Sequence, residues 1–141
     1  MRKLPMLAFC ISISAILNAQ VNSSEQPPEK STVVALVEQQ VEGYNARNID
    51  AFLVPYADSV EFYTFADDKL TLKGKERLRR GYSDFFQKVP DLHCEIKGRL
   101  VQGNIVIDKE HLTGLNGKME VEAIVIYEIE SGKIKKVNVI Q

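Results

Sequence analysis

The 141-residue chain is poor in the residues that mark several common classes of protein. It has two cysteines, Cys10 and Cys94, too few for a disulfide framework, and no Cys/His spacing that resembles a zinc site. Neither sign of charge dominates. Eighteen Lys+Arg face nineteen Asp+Glu for a net charge of −1, which offers no basic face to a nucleic acid. No apolar run reaches the roughly 20 residues that a transmembrane helix needs. A chain of this length is expected to form one domain rather than two.

What is present begins with a leader-like segment. Arg2 and Lys3 precede an apolar stretch from Leu4 to Leu17, interrupted by Pro5, Ser12 and Ser14. A positive start, a short apolar core and small residues before a polar segment form the order of a secretory signal peptide. Leu17-Asn18-Ala19 places cleavage after Ala19, which sends the mature chain to the periplasm or out of the cell. An uncleaved N-terminal anchor is the alternative. Lipid attachment through Cys10 is disfavoured, because Phe9 stands where a small residue is wanted. Loss of residues 1–19 removes Arg2, Lys3 and Cys10, so the net charge falls from −1 to −3 and no stable membrane span remains. Cys94 is then the lone thiol. It alternates with Leu92 and Ile96 on an apolar face and reads as buried and inert. Residues 20–30, with Ser23, Ser24, Pro27 and Pro28, read as a flexible linker, and residues 31–141 as the folded domain.

From Ser31 the spacing of Val33, Leu36/Val37, Val41 and Tyr44 predicts a helix. Asn48 is a candidate N-cap for a short helix over Ile49–Leu53, closed by Pro55. Ser59–Phe65 reads as a strand and Leu70–Lys73 as its short partner. A third helix follows Gly74, with an apolar stripe of Leu78, Tyr82, Phe85/Phe86 and Val89, and stops at Pro90. Four strand-like runs complete the chain: Leu92–Val101, Ile105–Thr113, Met119–Ile129 and Ile134–Ile140. Separators of hairpin length join them into an antiparallel meander. Three helices segregated from such a sheet give an α+β fold. Long strands must twist and curl, so the helices should close a cone-shaped interior suited to a small molecule.

Strand faces refine this picture. In Met119–Ile129 the odd positions, including Val121, Ala123, Val125 and Tyr127, are apolar and should line the interior. Ile124 and Ile126 lie on the other face among glutamates, a patch that a second copy of the chain could cover to make a homodimer through the sheets. Ile105–Thr113 carries charge on both faces. Its Asp108, Glu110 and His111 form the densest ionisable cluster in the chain, either a proton-transfer set or a solvated strand end with an ion pair. His93, with Glu95 and Lys97, reads as a surface residue, and Arg77, Arg79 and Arg80 as a solvated helix face. The aromatic group Phe62, Phe65, Tyr82, Phe85 and Phe86 reads as core.

The order and spacing of these segments resemble the nuclear-transport-factor-2-like superfamily, in particular SnoaL-like domains. Tyr44-Asn45, Asn48-Ile-Asp-Ala-Phe and Tyr56-Ala-Asp-Ser-Val60 are similar to that family's two-helix entry into its first strand. Lys73-Gly-Lys-Glu76 resembles the start of its third helix. Pro90-Asp-Leu-His, the run NIVIDKEHLTG from Asn104 to Gly114, and Ile126 to Val137 look like its meander. The resemblance covers Thr32 to Gln141 and implies a curved sheet around a deep pocket, often in a dimer. The ketosteroid isomerase branch uses an Asp base with a Tyr and a protonated Asp. Carried onto this chain by the matching segments, those three roles fall on Thr64, Gln40 and Val125, none of which can perform them. The Asp-Arg-Asp set of the epoxide-hydrolysing branch finds no place either. Asp108 and Glu110 match an acidic pattern of SnoaL-like members without an assigned role.

The resemblance and the strand faces together imply a ligand pocket lined by Gln40, Tyr44, Phe62, Thr64, Tyr82, Val121, Ala123, Val125 and Tyr127, with Gln141 as a further polar group. No cofactor or metal is expected. Three functions remain open: an exported protein that binds a small hydrophobic molecule, an isomerase, cyclase or lyase acting on a hydrophobic carbonyl substrate through Asp108, Glu110 or His111, and an interaction module that uses its sheet face.

Overall fold

The computed structural model describes residues 30–141. The leader, the cleavage point after Ala19, Cys10 and nearly all of the linker lie outside the described residues. Among the described residues no helix is long and apolar enough to cross a membrane.

The chain runs α1 (Lys30–Asn45), α2 (Ile49–Leu53), β1 (Tyr56–Thr64), β2 (Lys69–Lys73), α3 (Lys75–Lys88), β3 (His93–Gln102), β4 (Ile105–Thr113), β5 (Val121–Glu130) and β6 (Lys133–Ile140). Local chemistry sets the boundaries. Asn48 takes an extended conformation, and its side-chain oxygen accepts from the backbone N–H of Ala51, capping α2. Pro90 follows the end of α3, where a missing N–H and a clash with the preceding turn forbid further helix.

The six strands form one sheet in the order β2-β1-β6-β5-β4-β3. The last four pair antiparallel as the hairpin signals require. The β1–β2 hairpin does not stand apart. β1 joins β6 in parallel, with Phe62 opposite Val137 and Thr64 opposite Val139, so the sheet is mixed rather than wholly antiparallel. Turn chemistry predicts neighbours in sequence. Nothing local predicts that the chain's last strand returns beside its first.

The three helices pack on the inward face of this sheet. Alternation in β5 is regular: Ala123, Val125, Tyr127 and Ile129 are buried, whereas Glu122 and Ile124 are exposed. The core joins these to Val33 and Val37 of α1, Phe52 and Leu53 of α2, Tyr56, Val60 and Phe62 of β1, Leu78 and Phe86 of α3, and Val137 of β6. An aromatic cluster ties the helices to one another and to β1. The Phe52 ring lies 4.7 Å from that of Tyr82, 5.2 Å from that of Tyr56 and 5.7 Å from that of Phe86.

The α1–α2 crossing leaves no room at Gly43. A Cβ there would lie 2.4 Å from the backbone N of Phe52 and 2.5 Å from its Cα. Gly43→Ala must therefore push α2 away from α1 and should cost about 1–3 kcal/mol of stability, the usual range for overpacking. Gly81, in the middle of α3, has open space around its Cβ position. Gly81→Ala should stabilise by up to about 1 kcal/mol through helix propensity alone. Denaturant unfolding of the two variants against the parent checks both signs.

Candidate functional site

The curled sheet and the helices enclose a cavity of about 390 Å³. Its walls come from every layer of the fold: Gln40, Val41 and Tyr44 of α1, Phe52 of α2, Tyr56 and Phe62 of β1, Tyr82 and Phe85 of α3, and inward residues of β3 to β6. Gly81 and Gln141, both exposed, sit at its open side. The lining is mainly apolar and aromatic, and Gln40, Tyr56, Tyr127 and Glu110 make a polar end.

That polar end is a continuous hydrogen-bonded chain. Tyr56 donates its hydroxyl to Gln40 Oε1 at 3.3 Å, and Gln40 Nε2 donates to the Tyr127 hydroxyl at 2.8 Å. Tyr127 in turn donates to Glu110 Oε1 at 2.8 Å. Cys94 lines the same cavity on the strand beside that of Glu110. All five groups are buried. Each donor finds its acceptor, and the sequence of donations ends on a carboxyl. Burial raises the pKa of Glu110, and the neighbouring charge of Asp108 raises it further, while the bond from Tyr127 and the charge of Arg99 pull the other way. Burial and the nearness of Glu110 push the Tyr127 hydroxyl well above its ordinary value and the Tyr82 hydroxyl up to about 12, so both stay protonated donors.

Backbone placement makes this arrangement possible. Glu110 lies on the inward face of β4, opposite Ile96 of β3 and Ala123 of β5. Gln40 is the polar residue on the buried stripe of α1. Cys94 is held by Asn45, whose side chain donates to its carbonyl at 2.9 Å and accepts from its N–H at 2.7 Å. α1 and β3 are thereby locked together beside the cavity.

Asp108 is the next inward residue along β4 and is fully buried. Arg99 neutralises it with a two-pronged contact, Nε to Oδ1 at 2.7 Å and Nη2 to Oδ2 at 2.8 Å, and Arg99 Nη1 reaches Glu38 of α1 at 3.0 Å. A β-bulge directs Arg99 inward. The β3–β4 register shifts between Ile96 and Gly98, so the inward set passes from Cys94 and Ile96 to Arg99 and Val101. An acid–arginine–acid group is thus present, with a glutamate at one corner. It borders a separate depression formed with Val41, Glu42 and Ile96, and neither Arg99 nor Asp108 lines the main cavity.

The acidic cluster of β4 is split by the pleat. Glu110 lines the cavity and Asp108 is locked to Arg99, whereas His111 points to the opposite face of the sheet. There its Nε2 lies 3.3 Å from Glu120 Oε2, while Nδ1 is buried without a hydrogen-bond partner. Consecutive strand residues cannot share a face, so His111 and Glu110 do not form a pair. Of the expected pocket residues, Gln40, Tyr44, Phe62, Tyr82, Val121, Ala123, Val125 and Tyr127 line the cavity. Thr64 does not. It has the inward parity of Phe62 but sits at the exposed end of β1, where its hydroxyl bonds Asp67 and reaches the carbonyl of Lys69 at 3.5 Å. Tyr56, Cys94 and Arg99 were not foreseen at the site. The one local signal was Gly98 inside a strand pattern, a mark of a bulge. Among the described residues no group of three His, Cys, Asp or Glu side chains is placed to hold a metal ion.

Comparison with known proteins fits this architecture. The model of the SnoaL-like domain family matches residues 37–137. An uncharacterised cystatin-fold protein from Novosphingobium aromaticivorans is similar in structure, with a TM-score of 0.70 and 23% identity, covering 77% of this chain and 97% of that one. A putative SnoaL-like polyketide cyclase from Jannaschia sp. CCS1 gives a TM-score of 0.68 at 13% identity, covering 80% of this chain and 87% of that one. A putative ketosteroid isomerase from Kribbella flavida gives 0.65 at 19% identity, covering 77% and 76%. At these identities the likeness is one of fold. Comparison with curated proteins gives no match. With the family model spanning most of the described residues, the chain belongs to the SnoaL-like domain family.

Proposed function

We propose that the protein binds a small, largely hydrophobic molecule in the cavity and orients it by one polar group against Glu110 and Tyr127. The observation that carries this reading is the segregation of the lining, an apolar and aromatic body with a single hydrogen-bonded polar end. A second reading rests on the raised pKa of Glu110. A buried carboxyl whose pKa is raised by burial is suited to move a proton to or from a bound carbonyl compound, as an isomerase, cyclase or lyase requires. His111 and Asp108 have no part in either reading, the first by its face and the second by its ion pair.

The fit is tested by filling the cavity. Ala123→Phe should abolish the rise in unfolding temperature that alicyclic and aromatic ketones and alcohols give the parent, while Thr64→Phe should leave it intact. Loss with Thr64→Phe, or retention with Ala123→Phe, removes the proposed site. In any turnover found, Glu110→Gln should lower the rate by about 10²–10⁴-fold, the range for a positioned acid or base, and His111→Ala should not.

The same proposal places the protein outside the cytoplasm as a homodimer. The leader-like start of the sequence supports export. On the outward face of the sheet, Leu100, Ile107 and Ile126 lie side by side, and Leu100 and Ile124 are exposed. Both signs of charge, Lys109 and Glu122, stand beside them, so the face complements a second copy of itself. Native mass spectrometry of protein recovered from its source periplasm should find dimers of a chain that starts at Gln20. A chain that retains residues 1–19 would refute export, and monomer at micromolar concentration would refute the dimer.

A further inference from the structure

Two carboxylates are buried among the described residues, and they are treated differently. Asp108 is matched by the guanidinium of Arg99. Glu110 has no cationic partner. It receives the neutral donor Tyr127, and none of the residues lining its cavity is Lys, Arg or His. A buried carboxyl without a counter-ion either holds its proton or awaits a cation. The cavity around it is walled by aromatic rings, among them Tyr44, Phe52, Tyr56, Tyr82 and Phe85, and the Tyr44 ring lies 6.1 Å from that of Phe52 in a tilted contact and 6.2 Å from that of Tyr82 edge-on. Aromatic side chains in a cavity wall can offer the electron-rich surroundings that favour an organic ammonium group.

From this combination we infer that the cavity selects hydrophobic amines in their protonated form, with Glu110 as the counter-ion and the surrounding rings as the cradle for the apolar body and the N-alkyl groups. The inference rests on the cavity-binding reading above and narrows its ligand class. An anion would meet Glu110 with no compensating base, and a neutral hydrocarbon would leave the carboxyl unused. An ammonium ion brings the missing charge and removes the cost of leaving Glu110 unpaired.

The test uses two probes of nearly equal shape, N,N-dimethylbenzylamine, which is protonated at pH 7, and its carbon counterpart isobutylbenzene. Calorimetry on the full-length mature chain should give at least roughly tenfold tighter binding for the amine, and both probes should shift the methyl resonances of the lining residues Leu112, Val125 and Val139. In Glu110→Gln, checked for native fold by circular dichroism, the preference should vanish while isobutylbenzene still binds. Equal affinity of the two probes for the parent overturns the inference and leaves the cavity-binding reading standing. A preference that survives Glu110→Gln overturns the counter-ion role. Failure of both probes to bind, or binding that does not perturb the lining methyls, removes the cavity-binding reading and the inference with it.

Discussion

Two acidic side chains on successive inward positions of one strand set the terms on which this domain folds. An ionised carboxylate withdrawn from water costs several kcal/mol unless it is met by charge or hydrogen bonds, and β4 buries two carboxyl groups at neighbouring inward positions. Asp108 receives the strongest available remedy, a bidentate guanidinium. That remedy requires β3 to change its alternation, which the bulge between Ile96 and Gly98 achieves. Glu110 receives a weaker one, a file of neutral donors reaching from β1 through α1 and β5. Gln40, Tyr56 and Tyr127 form that file, with Tyr127 alone in direct contact with the carboxyl. The Asn45 contacts lock α1 to β3 beside it.

The unequal treatment is what gives the site its character. With Asp108 neutralised at the flank of the barrel-like wall, Glu110 alone supplies ionisable acid to the cavity. The aromatic cluster of α1, α2 and α3 joins the helices to β1 and supplies part of the cavity wall. An apolar space with one polar end is the outcome. That space favours a molecule with the same division, and the ordinary packing of the domain is enough to keep it open.

Much of this was legible before the structure. Asn48 as a cap, Pro90 as a stop, the turn residues between the last strands and the parity of β5 are local signals, and local physics acts on them directly. Gln40 was placed at the pocket through the family resemblance, by its spacing from Ile49-Asp50-Ala51. The misreadings share a physical origin in relations that are not local. Parallel pairing of β1 with β6 leaves no trace in turn composition. Thr64 has the correct parity, yet the length of wall beyond Phe62 depends on where the opposing strands end. Arg99 takes its role from a bulge and from Glu38, 61 residues away in sequence. The cluster Asp108, Glu110 and His111 looked like one functional group because adjacency in sequence is easily taken for adjacency in space. The pleat of the strand separates Glu110 from His111 completely.

The central claim is that Glu110 lies at the polar end of the cavity as a carboxyl without a cationic partner. Infrared difference spectroscopy across pH measures this most directly, because a protonated carboxyl has its own C=O band. The account predicts that one such band persists above the usual titration range of glutamate, shifts with addition of a cavity ligand, and disappears in Glu110→Gln. Titration of every carboxyl within the ordinary range, or a persistent band that remains in Glu110→Gln, would contradict it.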